Sequence, residues 1–201
     1  MFKIFIIFAL AIYSYAGIDD ELKNHFEVAS SQTDVEKKLL MAFAKTESAF
    51  NKFSIGIITK NPGMLRKFFE INNVTFFQGK GKNENLFSLK PKNKDMAEEY
   101  FYKFKYFVKK YPYAIKTYDI GLMQINAANI KGNDEKEMMY LLNTKINILK
   151  GASIVQECYG KFKNVKYAIE CYNKGTDSRK FKNFDYFNLV ANNYKEINYA
   201  N

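Results

Sequence analysis

Apolar residues at helical spacing mark out most of this chain. Val35, Leu39, Leu40 and Phe43 recur with a period that predicts an amphipathic helix running into Ala44–Asn51. Thr33 with Glu36 three residues on reads as the capping box that starts it. Ala97, Tyr100, Phe101, Phe104 and Val108 predict a second long helix, capped by Asp95 with Glu98 and stopped before Pro112. A third begins near Thr144 and turns Ile146, Leu149, Ala152 and Val155 inward. A tight turn at Gly160 leads to a fourth, in which Val165, Ala168, Ile169 and Tyr172 repeat the spacing and Gly175 supplies a left-handed C-cap. A short helix starting at Asn133 or Asp134 holds Met138, Met139 and Leu142, and residues 184–199 make a weaker final one. Residues 17–33, with Glu21 and His25, are polar and read as a leader into the first core helix.

Between Asn51 and Gly121 the period changes. Phe53–Thr59, Val74–Gln78 and Leu86–Leu89 read as strands, the last two joined by the Gly79–Asn83 turn, and Pro62–Glu70 reads as a helix with proline in its first turn. With the helix that follows, the order is βαββα. This predicts a small subdomain over about residues 53–116, inserted into a helical domain over 17–201, with its aromatics forming its own core. The fold class is α+β, mainly α.

The amino terminus stands apart. Met1-Phe2-Lys3 is a short basic region, Ile4–Tyr13 is apolar, and Ser14 and Ala16 place small residues where signal peptidase reads them. Residues 1–16 are expected to be a signal peptide, since the apolar run is shorter than the roughly 20 residues that span a bilayer. The chain is therefore expected to be exported, to the periplasm or cell envelope. Its 31 basic against 21 acidic residues leave +10 at pH 7, and Arg66 and Arg179 are the only arginines. A lysine surface without an arginine stripe argues against nucleic acid and suits work beside an anionic polymer. Export also permits a disulfide between Cys158 and Cys171, the only cysteines; two separately buried thiols are the other reading. A single histidine, His25, far from both cysteines, speaks against a metal site, and no cofactor is expected.

The chemistry centres on Glu47. At the end of a helix whose apolar face enters a core, its carboxyl is partly desolvated, which favours the protonated form that a general acid requires. Asp119-Ile120-Gly121-Leu122-Met123-Gln124-Ile125-Asn126 and Ala168-Ile169-Glu170-Cys171-Tyr172-Asn173-Lys174-Gly175 follow in order. A helix ending in Glu-Ser, then Gly-Leu-Met-Gln, then Ala-x-x-x-Tyr-Asn-x-Gly resembles the lysozyme-like lytic transglycosylases, the SLT domain family, which cleave the glycan strands of peptidoglycan. Asn147-Ile148-Leu149-Lys150-Gly151 resembles that family's Asn-Ile-x-x-Gly helix start.

The resemblance implies that Glu47 acts first as acid and then as base, without a second carboxylate, leaving 1,6-anhydromuramoyl ends. It places Met123, Gln124 and Asn126 on the substrate side. Tyr172 would hydrogen-bond near Glu47, Asn173 would brace the site and Ser48 would steady the glutamate's helix end. Asp119 departs from the serine many members carry there. It also resembles the second carboxylate of animal-type lysozymes, so hydrolysis by Glu47 and Asp119 is an alternative. A peptidoglycan-binding protein without turnover is another. The basic composition and the inserted subdomain also suit the specialised members that open the wall locally for secretion or conjugation machinery, which makes such a complex a candidate partner.

Overall fold

In the computed structural model, residues 18–130 and 135–197 are described. The expected signal peptide and the expected helix start at Asn133 or Asp134 lie outside them. The helices and the small antiparallel sheet make an α+β, mainly helical protein, as the sequence patterns predict. The chain forms two compact units, one from the chain up to Phe50 together with the chain from Ile148 onward, the other from Asn51–Asn147.

The first unit is helical. The expected polar leader is in fact helix α1, Asp20–Thr33, capped by the Asp19 carboxylate, which accepts from the Leu22 amide at 2.8 Å. Leu22, Phe26 and Ala29 fall on one stripe and are buried, while most intervening positions are polar; so narrow a stripe is easily read as a leader. Thr33 belongs to the last turn of α1 and donates to the Ala29 carbonyl, so the expected capping box does not form. Helix α2, Lys37–Ser48, starts at Glu36 without a side-chain cap, and the Glu36 carboxylate instead accepts the Tyr194 hydroxyl.

Helices α1 and α8 (Asp185–Glu196) both pack on α2, and α8 also packs on α7 (Val165–Lys174). Phe43 on α2 is fully buried and meets the rings of Tyr172 on α7 and Tyr186 on α8, at 4.8 and 6.1 Å. Polar contacts run along the same seam: Asn193 to Thr46, and Lys45 to Glu196 at 2.7 Å. The preceding helix α6 (Thr144–Phe162) runs past Gly160, and the reversal into α7 falls at Lys163, at φ 52°, with Asn164 capping α7. Cys158 and Cys171 are joined as a disulfide across this hairpin, packed with Ala168 and Phe181. Val165 and Ile146, expected inward, are exposed, because each occupies the first turn of its helix, ahead of the buried stripe. Gly175 has the positive φ expected of it, 74°, but an extended ψ of −174° rather than a left-handed helical one.

The second unit is a five-stranded antiparallel sheet in the order β2-β3-β1-β4-β5 with helices α3 (Pro62–Ile71) and α4 (Lys94–Lys110), plus the short α5 (Glu135–Tyr140). Strand β1, Ile55–Thr59, is buried throughout, as the central strand must be. It is followed by α3, then β2 (Phe77–Gln78), β3 (Leu86–Leu89) and α4, which is the expected βαββα order. Strand β2 is shorter than expected, and α4 is capped by Asn93 rather than by Asp95. Two strands were not foreseen: β4 (Ile115–Ile120) and β5 (Ile125–Asn126), which carry the Asp119–Asn126 motif into the sheet beside β1. The aromatics Phe69, Phe76 and Phe87 pack on one another in this unit's core, and Phe104 meets Tyr118 edge-on.

Candidate active site

Glu47 is the penultimate residue of α2 and is half-buried. The helix ends sharply after it. Ala49 and Phe50 both take left-handed conformations, at φ 52° and 62°, and the Ala49 amide returns to the Lys45 carbonyl at 3.0 Å. Two consecutive non-glycine residues in that region are costly, and only a well-determined surrounding structure holds them there. Buried Ser48 turns its hydroxyl back to the Ala44 carbonyl at 3.1 Å, which steadies this last turn.

One group against Glu47 is Tyr186, whose hydroxyl donates to Oε1 at 2.5 Å. Tyr186 is 1% exposed. Burial above all, then the neighbouring Glu47 carboxylate, Tyr172, the hydrogen bond to Glu47 and the more distant Glu170, hold its phenol well above the ordinary tyrosine range. The phenol therefore stays a proton donor throughout the physiological range. Sequence reasoning gave the tyrosine partner as Tyr172 and passed over Tyr186. Tyr172 is buried on α7 with its ring on Phe43, and its influence on Tyr186 places it in the same cluster. Asn173, next along α7, is buried too, and its Oδ1 meets no donor among the described residues. The first unit thus gathers Glu47, Ser48 and Tyr172, with Tyr186 added.

The second unit holds the other predicted residues. Asp119 on β4 faces Asn126 on β5, and Asn126 Nδ2 donates to Asp119 Oδ1 and to Thr117 Oγ1, each at 2.7 Å. Residues Gly121–Gln124 form the turn between these strands. Gly121 has φ 78°, and a Cβ there would lie 2.2 Å from Asn147 Nδ2 and 2.7 Å from the Leu141 carbonyl oxygen, so only glycine fits. Asn147, fully buried, is the clamp on this turn: it accepts the Met123 amide at 2.7 Å and donates to the carbonyls of Ile120 and Leu141 at 2.9 and 3.0 Å. Gln124, left-handed at φ 46°, donates through Nε2 to the carbonyls of Ser54 and Gly121. Met123 is fully buried. The Gly-Leu-Met-Gln and Asn-Ile-x-x-Gly motifs are therefore one structural device, a strained turn and the amide that locks it.

Among the described residues no cluster of three or more histidine, cysteine, aspartate or glutamate side chains is placed to hold a metal ion. None of their helices is long and apolar enough to cross a membrane.

No curated protein and no solved structure matches the chain significantly. The family model for the transglycosylase SLT domain matches residues 24–193, which takes in α1 from Asn24, the whole of the second unit and α8 up to Asn193. Peptidoglycan is the substrate class and glycan-strand transglycosylation the general activity that go with this domain. With Glu47, the clamped Gly121–Gln124 turn and the Tyr172-Asn173 segment all inside the matched span, the chain belongs to the transglycosylase SLT domain family.

Proposed function

We propose that this protein cleaves the MurNAc-β-1,4-GlcNAc bond of peptidoglycan by lytic transglycosylation, with Glu47 as the single acid and base. The observation that carries the reading is the Glu47 carboxyl itself: half-buried at a sharply ended helix and held through one oxygen by a phenol that stays protonated. Protonated Glu47 gives its proton to the glycosidic oxygen as the C1–O bond breaks, and the N-acetyl group of the muramic sugar assists at C1. The carboxylate left behind then takes the proton of that sugar's 6-hydroxyl while the oxygen closes on C1. One glycosidic bond to the neighbouring sugar is lost, one internal glycosidic bond from C1 to the 6-oxygen is made, Glu47 regains its proton and no water is consumed. Tyr186, donating to Oε1, fixes which oxygen faces the bond. Met123, Gln124 and Asn126 are assigned to the substrate side, with Tyr172 and Asn173 bracing the acid.

Hydrolysis with Asp119 as a second carboxylate is the competing reading, favoured by one observation: Asp119 is half-buried and pinned by Asn126, as a group of fixed orientation would be. Export through a signal over residues 1–16, and service to a secretion or conjugation complex, rest on the sequence and the resemblance.

Purified sacculi digested with the protein and analysed by mass spectrometry should yield mainly 1,6-anhydromuropeptides, and Glu47→Gln should yield none. Solubilisation by Glu47→Gln at more than a few per cent of the parent rate, against the loss expected for a missing general acid, would remove Glu47 from the role. Glycan binding by the parent protein without any solubilisation would leave only a binding function.

A further inference from the structure

Helix α8 has an unusual start. Its N-cap is Phe184, in a left-handed conformation, with no side-chain oxygen to receive the first amides of the helix. Those amides need acceptors, and a helix end buried without them is unstable. The acceptor comes from another helix. Glu170 on α7 is fully buried, and its Oε1 accepts the Phe187 amide, the third of α8, at 2.8 Å. Its Oε2 lies 2.6 Å from Lys174 Nζ, an ion pair whose angle is outside hydrogen-bonding geometry. A buried ion pair is a weak source of stability, and apolar packing often serves as well. What Glu170 does that an apolar residue could not is cap α8 from the side, with a negative charge at the positive end of the helix. The residue immediately before Phe187 is Tyr186, the donor to Glu47.

We infer that Glu170 is a positioning residue for the acid: through the Phe187 amide it holds the first turn of α8, and with it the Tyr186 phenol, against Glu47. This rests on the assignment of Glu47 as general acid. Lys174, half-buried one turn further along α7, neutralises the carboxylate from its other side. The chain of contacts runs Lys174, Glu170, Phe187 amide, Tyr186, Glu47, entirely within the first compact unit.

The test uses the full protein in four variants, Glu170→Leu, Glu170→Gln, Tyr186→Phe and the double Glu170→Leu/Tyr186→Phe, with two readouts. Amide hydrogen exchange followed by NMR reads the cap alone. Phe187 should be protected in the parent and in Glu170→Gln, which keeps an acceptor oxygen, and should exchange about tenfold faster in Glu170→Leu. Turnover of sacculi reads the consequence. Glu170→Leu should lower kcat roughly 10- to 100-fold with KM within about twofold, as a misplaced catalytic group does, while Glu170→Gln stays near the parent. The double variant should be no slower than the slower single, because both act through one hydrogen bond. Unchanged Phe187 protection in Glu170→Leu, losses that multiply in the double variant, or a Glu170→Gln as impaired as Glu170→Leu would each overturn the inference. If Glu170→Leu does not fold, the Glu170→Gln result decides. The two readings fail differently. An active Glu47→Gln removes the acid assignment and this inference with it, whereas an inactive Glu47→Gln beside multiplying losses overturns this inference alone.

Discussion

Tyr186 and Glu47 share a 2.5 Å hydrogen bond that ties the first turn of α8 to the last turn of α2. The phenol keeps its proton here, held above the ordinary tyrosine range first by burial and then by Glu47, Tyr172 and Glu170, and so remains a donor to Oε1. The Glu47 carboxyl is thus oriented through Oε1 by a neutral donor.

Replacing Tyr186 by phenylalanine removes that donor and keeps the ring. We expect kcat on sacculi to fall by roughly 10- to 100-fold, as for loss of one positioned hydrogen bond to a reacting group. KM should hold, and the far-ultraviolet spectrum should not change. Steady-state kinetics of the variant checks this, and a rise in KM at constant kcat would place Tyr186 in substrate binding instead.

The same burial has a consequence at high pH. In the unfolded chain Tyr186 loses its proton near 10.0, the ordinary tyrosine value, while in the folded protein it keeps it to higher pH. Above pH 10 the folded state therefore binds more protons than the unfolded one, so stability falls as pH rises. Below pH 10 this contribution is fully present. Above about pH 10 the parent should lose stability more steeply than Tyr186→Phe, which lacks the ionisable group. Denaturant unfolding at stepped pH measures the difference, and parallel curves for the two proteins would mean that Tyr186 ionises as it does in the unfolded chain.

The Gly121 turn tolerates no side chain. Gly121→Ala meets Asn147 Nδ2 and a backbone carbonyl at once, in a backbone conformation alanine disfavours. We expect a loss of about 3 kcal/mol or more, because neither obstacle is a flexible side-chain end. Asn147→Leu should be comparably costly, since it leaves the Met123 amide and two carbonyls without their partner, at about 1–3 kcal/mol for each buried group. Chemical denaturation of both variants is the measurement.

The disulfide between Cys158 and Cys171 closes a loop with a separation of 13 residues. On the chain-entropy account such a loop contributes roughly 3 kcal/mol. Protein purified without reductant should take up no alkylating reagent when unfolded, and should melt at lower temperature once reduced.

What the sequence made legible follows from how local each signal is. Glu47, the Gly-Leu-Met-Gln turn and the Tyr172-Asn173 segment each lie in a compact motif, and the βαββα order shows in its own periodicity. Tyr186 does not: it sits in a polar, asparagine-rich helix and matters only because α8 folds back on α2, a contact spanning residues 47 to 186. Glu170 is hidden for the same reason, since capping another helix leaves no trace in the spacing of its own. Helix α1 was missed because its buried stripe is narrow among polar residues, and β4 because its exposed Lys116 and half-buried Asp119 interrupt the apolar alternation. A glutamine or methionine in a motif also says nothing of its surroundings. Gln124 spends its amide on the turn itself.

The choice between transglycosylation and hydrolysis turns on Asp119. Asn126 Nδ2 donates to Asp119 Oδ1, and Asp119→Asn offers a carbonyl oxygen to the same donor, so the substitution removes the charge while the β4–β5 pairing stands. If Glu47 is the only carboxylate in the reaction, Asp119→Asn should retain most activity, within about tenfold of the parent, and the products should keep their anhydro ends. If Asp119 is a nucleophile or stabilises positive charge at C1, the loss should approach that of Glu47→Gln, because a neutral amide does neither. The products would then carry reducing muramic ends. Asn126→Ala separates positioning from charge: it removes one hydrogen bond from the Asp119 carboxylate without neutralising it. Under hydrolysis it should be the milder of the two, and under either reading its products should carry the same ends as the parent's. Product masses from sacculi treated with each variant distinguish the cases, since an anhydro end is lighter than a reducing end by one water.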